Sequence, residues 1–193
     1  MNRSIISRTL CLLGLTALVS FGTQAQQTFA VSGAQELKVS GTSTIHDWDM
    51  VAKDGITGKA NMLVENGKLT KITALTLSFP VKSLKSGKSS MDTNAYKALL
   101  EPKNPNIKFE MTEFTGMTGN TIKAKGKLTI SGSTQIVPIS VTYSVSGSTV
   151  TFIGTHPIKF TQFKVSPPSA VFNTIKTGDD LKLSFKTNFT KKN

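Results

Sequence analysis

The stretch "TIKAKGKLTISGSTQIVPISVTYSV", residues 121–145, decides the fold. Ile122, Ala124, Gly126, Leu128 and Ile130 alternate with lysines and threonines, a period of two that turns the apolar set to one face of an extended chain. "SGST" at 131–134 is turn chemistry, and the alternation resumes with Val137, Ile139, Val141, Tyr143 and Val145. This predicts two half-buried strands on either side of a turn.

The same rhythm runs outward in both directions. "ITGKANMLV" aligns Ile56, Gly58, Ala60, Met62 and Val64; "TALTLSFPV" aligns Leu75, Leu77, Phe79 and Val81; "IKFEM" aligns Ile107, Phe109 and Met111. It returns in "TVTFIG" (Val150, Phe152) and "LKLSFKTNF" (Leu181, Leu183, Phe185), with an early strand around "ELKVSGTSTI". Turn signals separate these runs: "ENGK" at 65–68, "TGN" at 118–120, a second "SGST" at 146–149 and "KTGDD" at 176–180. One segment breaks the pattern. "MDTNAYKALLEP" reads as a short helix capped by Asp92 or Thr93, stopped by Pro102, with Leu99 or Leu100 turned inward. No linker, repeat or composition shift divides the chain. About eight antiparallel strands with one apolar face each form a sandwich or close into a barrel, and a closed barrel of that size is filled by side chains or holds one small ligand.

Residues 1–25 read as an export signal: Arg3 and Arg8, an apolar run from Leu10 to Phe21, then Thr23 and Ala25 as the small residues of a cleavage site. The run is shorter than the roughly 20 residues that span a bilayer, so a periplasmic or secreted destination is expected, with residues 26–193 as the single mature domain. Cys11 follows Leu10, not the small residue that precedes a lipidated cysteine. The mature domain has no cysteine, which excludes disulfides and thiolate metal sites. Loss of Arg3 and Arg8 brings the net charge from +12 to +10, and every remaining cation outside histidine is lysine. Scattered lysines without arginine argue against nucleic acid as partner. They suit a solvated outer face, blunted strand edges and contact with an anionic membrane surface.

"GTSTIHDWDM" (41–50) concentrates His46, Asp47, Asp49 and the single tryptophan, Trp48. Along a strand, His46 and Asp47 face opposite ways, so they cannot relay a proton to each other; pairing of Ser40 or Ser43 with His46 is the remaining nucleophilic arrangement. A metal would need His156, the other histidine, brought beside His46, Asp47 and Asp49, and none of the usual zinc spacings is present. The expected metal and catalytic sets are therefore empty. "SGKSS" (86–90) lacks the upstream glycine of a phosphate loop.

"SGTSTIHDWDM", "ITGKANMLVENGKLTKITALTLSFPVKSLKSG", "MDTNAYKALLEPKNPNIKFEM", "AKGKLTISGSTQIVPISV" and "FTQFKVSPPSAVFNTIKTGDDLKLSF" resemble, in this order, the successive blocks of the YceI-like family. The more specific parts are the helix followed by Pro105, Ile107 and Phe109, and the hairpin at Gly126, Leu128, Thr129, Gly132 and Thr134. The resemblance implies an exported, lipocalin-like antiparallel barrel that holds a polyisoprenoid or other long-chain amphiphile in an apolar tunnel. No cofactor beyond an isoprenoid or fatty lipid is implied. Two departures bear on the ligand: "LLEPKNP" stands where the family often has an aromatic pair, and Met91-Asp92 where it has Arg-Asp.

If the barrel holds such a chain, its wall is expected to comprise Met62, Leu75, Leu77, Phe79, Phe109, Met111, Leu128, Ile130, Val141, Tyr143, Phe152, Leu183 and Phe185, with His46 and Trp48 at the head group or rim. The alternatives are an enzyme acting on a lipidic or quinone substrate through His46, and a ligand-free stress or structural protein with a filled core. The oligomeric state is open, a homodimer included.

Overall fold

The computed structural model describes residues 26–170 and 174–192. The signal-peptide reading of residues 1–25 lies outside the described residues. The elements are β1 (Gln27–Val31), β2 (Glu36–Ser43), β3 (Trp48–Ala52), β4 (Thr57–Glu65), β5 (Lys68–Pro80), β6 (Leu84–Lys85), α1 (Ser89–Ala98), β7 (Asn106–Thr118), β8 (Thr121–Ile130), β9 (Ser133–Ser146), β10 (Thr149–Lys159), β11 (Ser169–Ala170) and β12 (Ile175–Lys191).

Eight strands close a ring in the order β1-β4-β5-β7-β8-β9-β10-β12, with β1 paired back onto β12. Alternation is strictest in β8, where every even-numbered residue from Ile122 to Ile130 is buried. The ring is branched as well as closed. The lower half of β12 pairs with β1 through Val31↔Phe189 and Phe29↔Lys191, and its upper half pairs with β2 from Glu36↔Lys186 to Thr177↔Ser43. From β2 the sheet continues through β3 to β6, which makes a taller wall on that side. The ring has the expected number of strands but not the expected set: β1, not read from sequence, closes it in place of β2, and β3, β6 and β11 also lie beyond the runs read from sequence. "QTFAV" and "WDMVA" carry apolar residues at both parities, which hides the period.

The tight hairpins β4-β5, β7-β8 and β9-β10 gather at the end where β1 closes the ring, and buried Phe29, Met62, Leu69, Val150 and Phe189 fill it. At the opposite end lie the β2-β3 turn, α1 and a 3-10 turn at Thr161–Phe163, packed over Val81, Leu84, Leu99, Val137 and Phe163.

The helix begins three residues before the expected cap. Lys88 occupies the N-cap, and Asp92 is instead buried inside the first turns, accepting hydrogen bonds from Ser86 N (2.8 Å) and Ser86 Oγ (2.7 Å). It holds the incoming loop rather than the helix start. Tyr96 ties the other side, donating to Leu84 O (2.8 Å) and accepting from Lys85 Nζ (2.9 Å). Of the two leucines, Leu99 is buried and Leu100 is 52% exposed. Leu100 has φ 51° and donates to Lys97 O, while Glu101 N reaches Tyr96 O, so a leucine fills the left-handed position of a helix-ending motif that usually carries glycine.

One wall of the ring is incomplete. The ladder between β9 and β10 runs from Ser146↔Thr149 to Val141↔Gly154 and stops, although both strands continue against their outer neighbours β8 and β12. Carried three residues further, the same register sets Pro138 opposite Pro157. The two-residue turn makes Ser146 and Thr149 a hydrogen-bonded pair, and counting in twos makes 138 and 157 another. Neither proline has an N–H to contribute, so both rungs are lost there.

Candidate functional site: an apolar chamber

Between the two packed ends lies a chamber of about 390 Å³, within the range typical of ligand pockets. All of the wall residues expected from sequence line it except Met62 and Tyr143. Those two sit at the closed end: Met62 is completely buried in packing, and the Tyr143 hydroxyl donates to Leu69 O (3.2 Å). Alternation sorts inward from outward residues but carries no information on depth along the barrel, so it does not separate these two from the rest.

The chamber stays hollow because inward glycines let aromatic rings lie against the wall. A Cβ on Gly126 would stand 2.3 Å from the Phe109 ring, one on Gly154 2.7 Å from Phe185 Cζ, and one on Gly41 2.3 Å from Trp48 Cζ2. In each case the ring occupies the space that a side chain would take. Phe109, Phe185 and Trp48 consequently form part of the lining instead of filling the centre.

"GTSTIHDWDM" forms the mouth. β2 ends at Ser43, the chain turns through Thr44–Asp47 and β3 begins at Trp48, so the strand expected to run through Ile45 is a hairpin turn. Ser43 Oγ donates to His46 O (2.7 Å), a bond to the backbone and not to the ring. His46 is exposed, with Nδ1 2.8 Å from Asp47 O, and it borders the chamber. The Trp48 indole N–H donates to Thr42 O (3.0 Å), and its ring lies 6.5 Å from that of Phe160. Trp48 thus offers a ligand an apolar surface, its polar atom being already engaged. Asp49 points outward, 3.6 Å from Lys38 Nζ. Among the described residues no three His, Cys, Asp or Glu side chains converge.

Two polar residues inside the chamber escaped the sequence reading. His156 is inward on β10, half-buried, in line with Phe152 and Ile158. Burial holds its imidazole below the ordinary range. Thr187 is inward on β12, buried, in line with Phe185 and Phe189. The signal was present: continuing the period of "TVTFIG" four residues reaches His156, and that of "LKLSF" two residues reaches Thr187.

The fold and chamber define a small closed antiparallel barrel with an apolar interior. The chain belongs to the YceI-like family, whose domain matches residues 23–189. Solved structures similar to it include BcnA of Burkholderia cenocepacia (19% identity, TM-score 0.66, covering 80% of this chain and 95% of that one). A polyisoprenoid binding domain from Saccharophagus degradans implicated in plant cell wall breakdown matches at 7% identity and TM-score 0.65, covering 87% of this chain and 100% of that one. The YCEI protein of Campylobacter jejuni matches at 15% identity and TM-score 0.56, covering 70% and 81% respectively. At these identities the likeness is one of fold. No curated protein matches the chain.

Proposed function

We propose that this protein is an exported, non-catalytic carrier that holds a long-chain amphiphile, a polyisoprenoid or fatty lipid, in the barrel chamber without any other cofactor. The observation that carries the reading is the chamber itself, about 390 Å³ of space walled by Leu75, Leu77, Phe79, Phe109, Leu183 and Phe185. Each methylene moved there from water contributes about 0.8 kcal/mol. Family membership and the fold shared with a polyisoprenoid binding domain support the same reading. The test is native mass spectrometry of protein purified from its own host, followed by organic extraction. A co-purifying long-chain lipid is expected; an empty protein that also takes up no long-chain probe ends the proposal.

The exterior supports a contact with an anionic membrane. Ile136 and Ile153 are 62% and 49% exposed on the outer face of β9 and β10, beside exposed Pro138 and Pro157. This stripe is flanked in direct register by lysines: Lys127 and Lys125 of β8 oppose Ile136 and Pro138, and Lys186 and Lys182 of β12 oppose Ile153 and Pro157. Apolar residues between two cationic rows suit a surface of acyl chains and acidic head groups.

A further inference from the structure

His156 and Thr187 are at odds with the rest of the chamber. Among the described residues no enclosed side-chain nitrogen or oxygen lacks a hydrogen bond. Neither the His156 ring nor the Thr187 hydroxyl has a protein partner, so their polar atoms open onto the chamber space. Along their own strands the inward neighbours are apolar, Phe152 and Ile158 beside His156 and Phe185 and Phe189 beside Thr187. The row around His156, followed through strand register, is Leu183 of β12, Val39 of β2 and Met50 of β3. It holds no second polar group to satisfy the imidazole. Thr187 pairs in register with Phe152, deeper by four residues along β12, about 13 Å of strand.

We propose that these two groups select, among long-chain ligands, one that carries a neutral oxygen function, a carbonyl or hydroxyl, on the part of the chain lodged inside the barrel. The inference rests on the carrier reading above. An imidazole in an apolar row is neutral, and in that form one ring nitrogen donates while the other accepts. Threonine likewise does both. Each therefore matches a ketone, alcohol or ester oxygen that would otherwise leave water unpaired, and about 13 Å apart they serve two different positions along a bound chain. An ionised carboxylate or phosphate at that depth would meet no charged side chain in the His156 row, so such groups belong at the mouth.

The experiment compares 2-hexadecanone with hexadecane, both delivered from cyclodextrin, in displacing a fluorescent fatty probe from the wild type, His156→Leu and Thr187→Val. The readout is the ratio of the two affinities in each protein, because differences in aqueous solubility of the probes cancel between proteins. The wild-type ratio is expected to favour the ketone by about three- to tenfold more than the ratio of whichever variant, His156→Leu or Thr187→Val, lacks the group that its single carbonyl meets, with hexadecane binding retained. The two sites are about 13 Å apart, so the other of the two variants is expected to keep the wild-type ratio, and His156→Met replaces His156→Leu should that variant misfold. Equal ratios in all three proteins overturn the inference while leaving the carrier reading in place. If neither probe binds the wild type, the carrier reading falls and this one falls with it.

Discussion

The side-chain amide of Gln35 pairs with the backbone of Asn188 as a strand would: Oε1 accepts from Asn188 N at 2.7 Å and Nε2 donates to Asn188 O at 3.3 Å. This pairing falls where β12 changes partner from β1 to β2, and Gln35 is only 8% exposed there. Nε2 also reaches Ser32 O (2.7 Å) and Gly33 O (3.2 Å), which fixes the kink between the two strands. One side chain thus seals the fork of the barrel.

Gln35→Ala should therefore orphan the Asn188 N–H and destabilise the fold by about 2 kcal/mol. Gln35→Glu should be worse at neutral pH, because a carboxylate cannot donate to the three carbonyls gathered around it. Urea unfolding of the two variants checks this. A loss within a few tenths of a kcal/mol for both would show that the fork does not depend on this amide.

Gly154 makes a second prediction. A methyl there would stand 2.7 Å from Phe185 Cζ and 2.9 Å from Val141 Cγ1, both of them side-chain atoms that can move into the chamber. Gly154→Ala should swing Phe185 inward, costing about 1–2 kcal/mol in stability and about tenfold in affinity for a hexadecyl probe. Adding Phe185→Leu should recover binding. Unchanged affinity in Gly154→Ala would mean that the flattened ring is not what keeps the chamber open.

Much of this architecture was legible in the sequence because a strand's inside and outside differ by a single step. β8 runs over the stretch read for it, Thr121–Ile130, and most of the lining follows from the same parity. What escaped has physical reasons. Met62 and Tyr143 share the parity of the wall, but their depth depends on where β1 closes onto β12, a pairing between opposite ends of the described chain. His156 does not stand out because Gly154 ends the apolar run, and a polar residue continuing the parity reads as the end of a strand. The fork at Gln35 and the gap at Pro138 and Pro157 depend on register between distant segments, which one-dimensional periodicity does not carry.

His156 also makes stability depend on pH with a definite sign. Burial lowers its pKa in the folded state, and its row of Leu183, Val39 and Met50 contributes no titrating or charged group. Between the folded and unfolded values the unfolded chain binds more protons, so stability falls as the pH drops through this window and returns as it rises. Thermal unfolding of the wild type should weaken on going from about pH 7 to pH 5 by more than that of His156→Leu. His46, the other histidine, lies on the exposed mouth turn and is present in both proteins, so the difference isolates His156. Parallel pH profiles would show that His156 titrates as it does in the unfolded chain.

The membrane face is tested by charge and by apolar contact separately, because they fail in different ways. Binding to vesicles of phosphatidylglycerol should weaken steeply with salt, since the lysines of β8 and β12 are exposed and screened within about 10 Å at 0.1 M. Each lysine near an anionic surface contributes about 1 kcal/mol, so Lys127→Glu with Lys186→Glu should reduce binding by well over tenfold. Ile136→Ser with Ile153→Ser should leave the salt dependence alone and remove the part that survives high salt. Lys59→Glu with Lys71→Glu, on the outer face of β4 and β5, is the control. If the control pair weakens binding as much as the β8 and β12 pair, attraction is a property of the net charge and no single face docks.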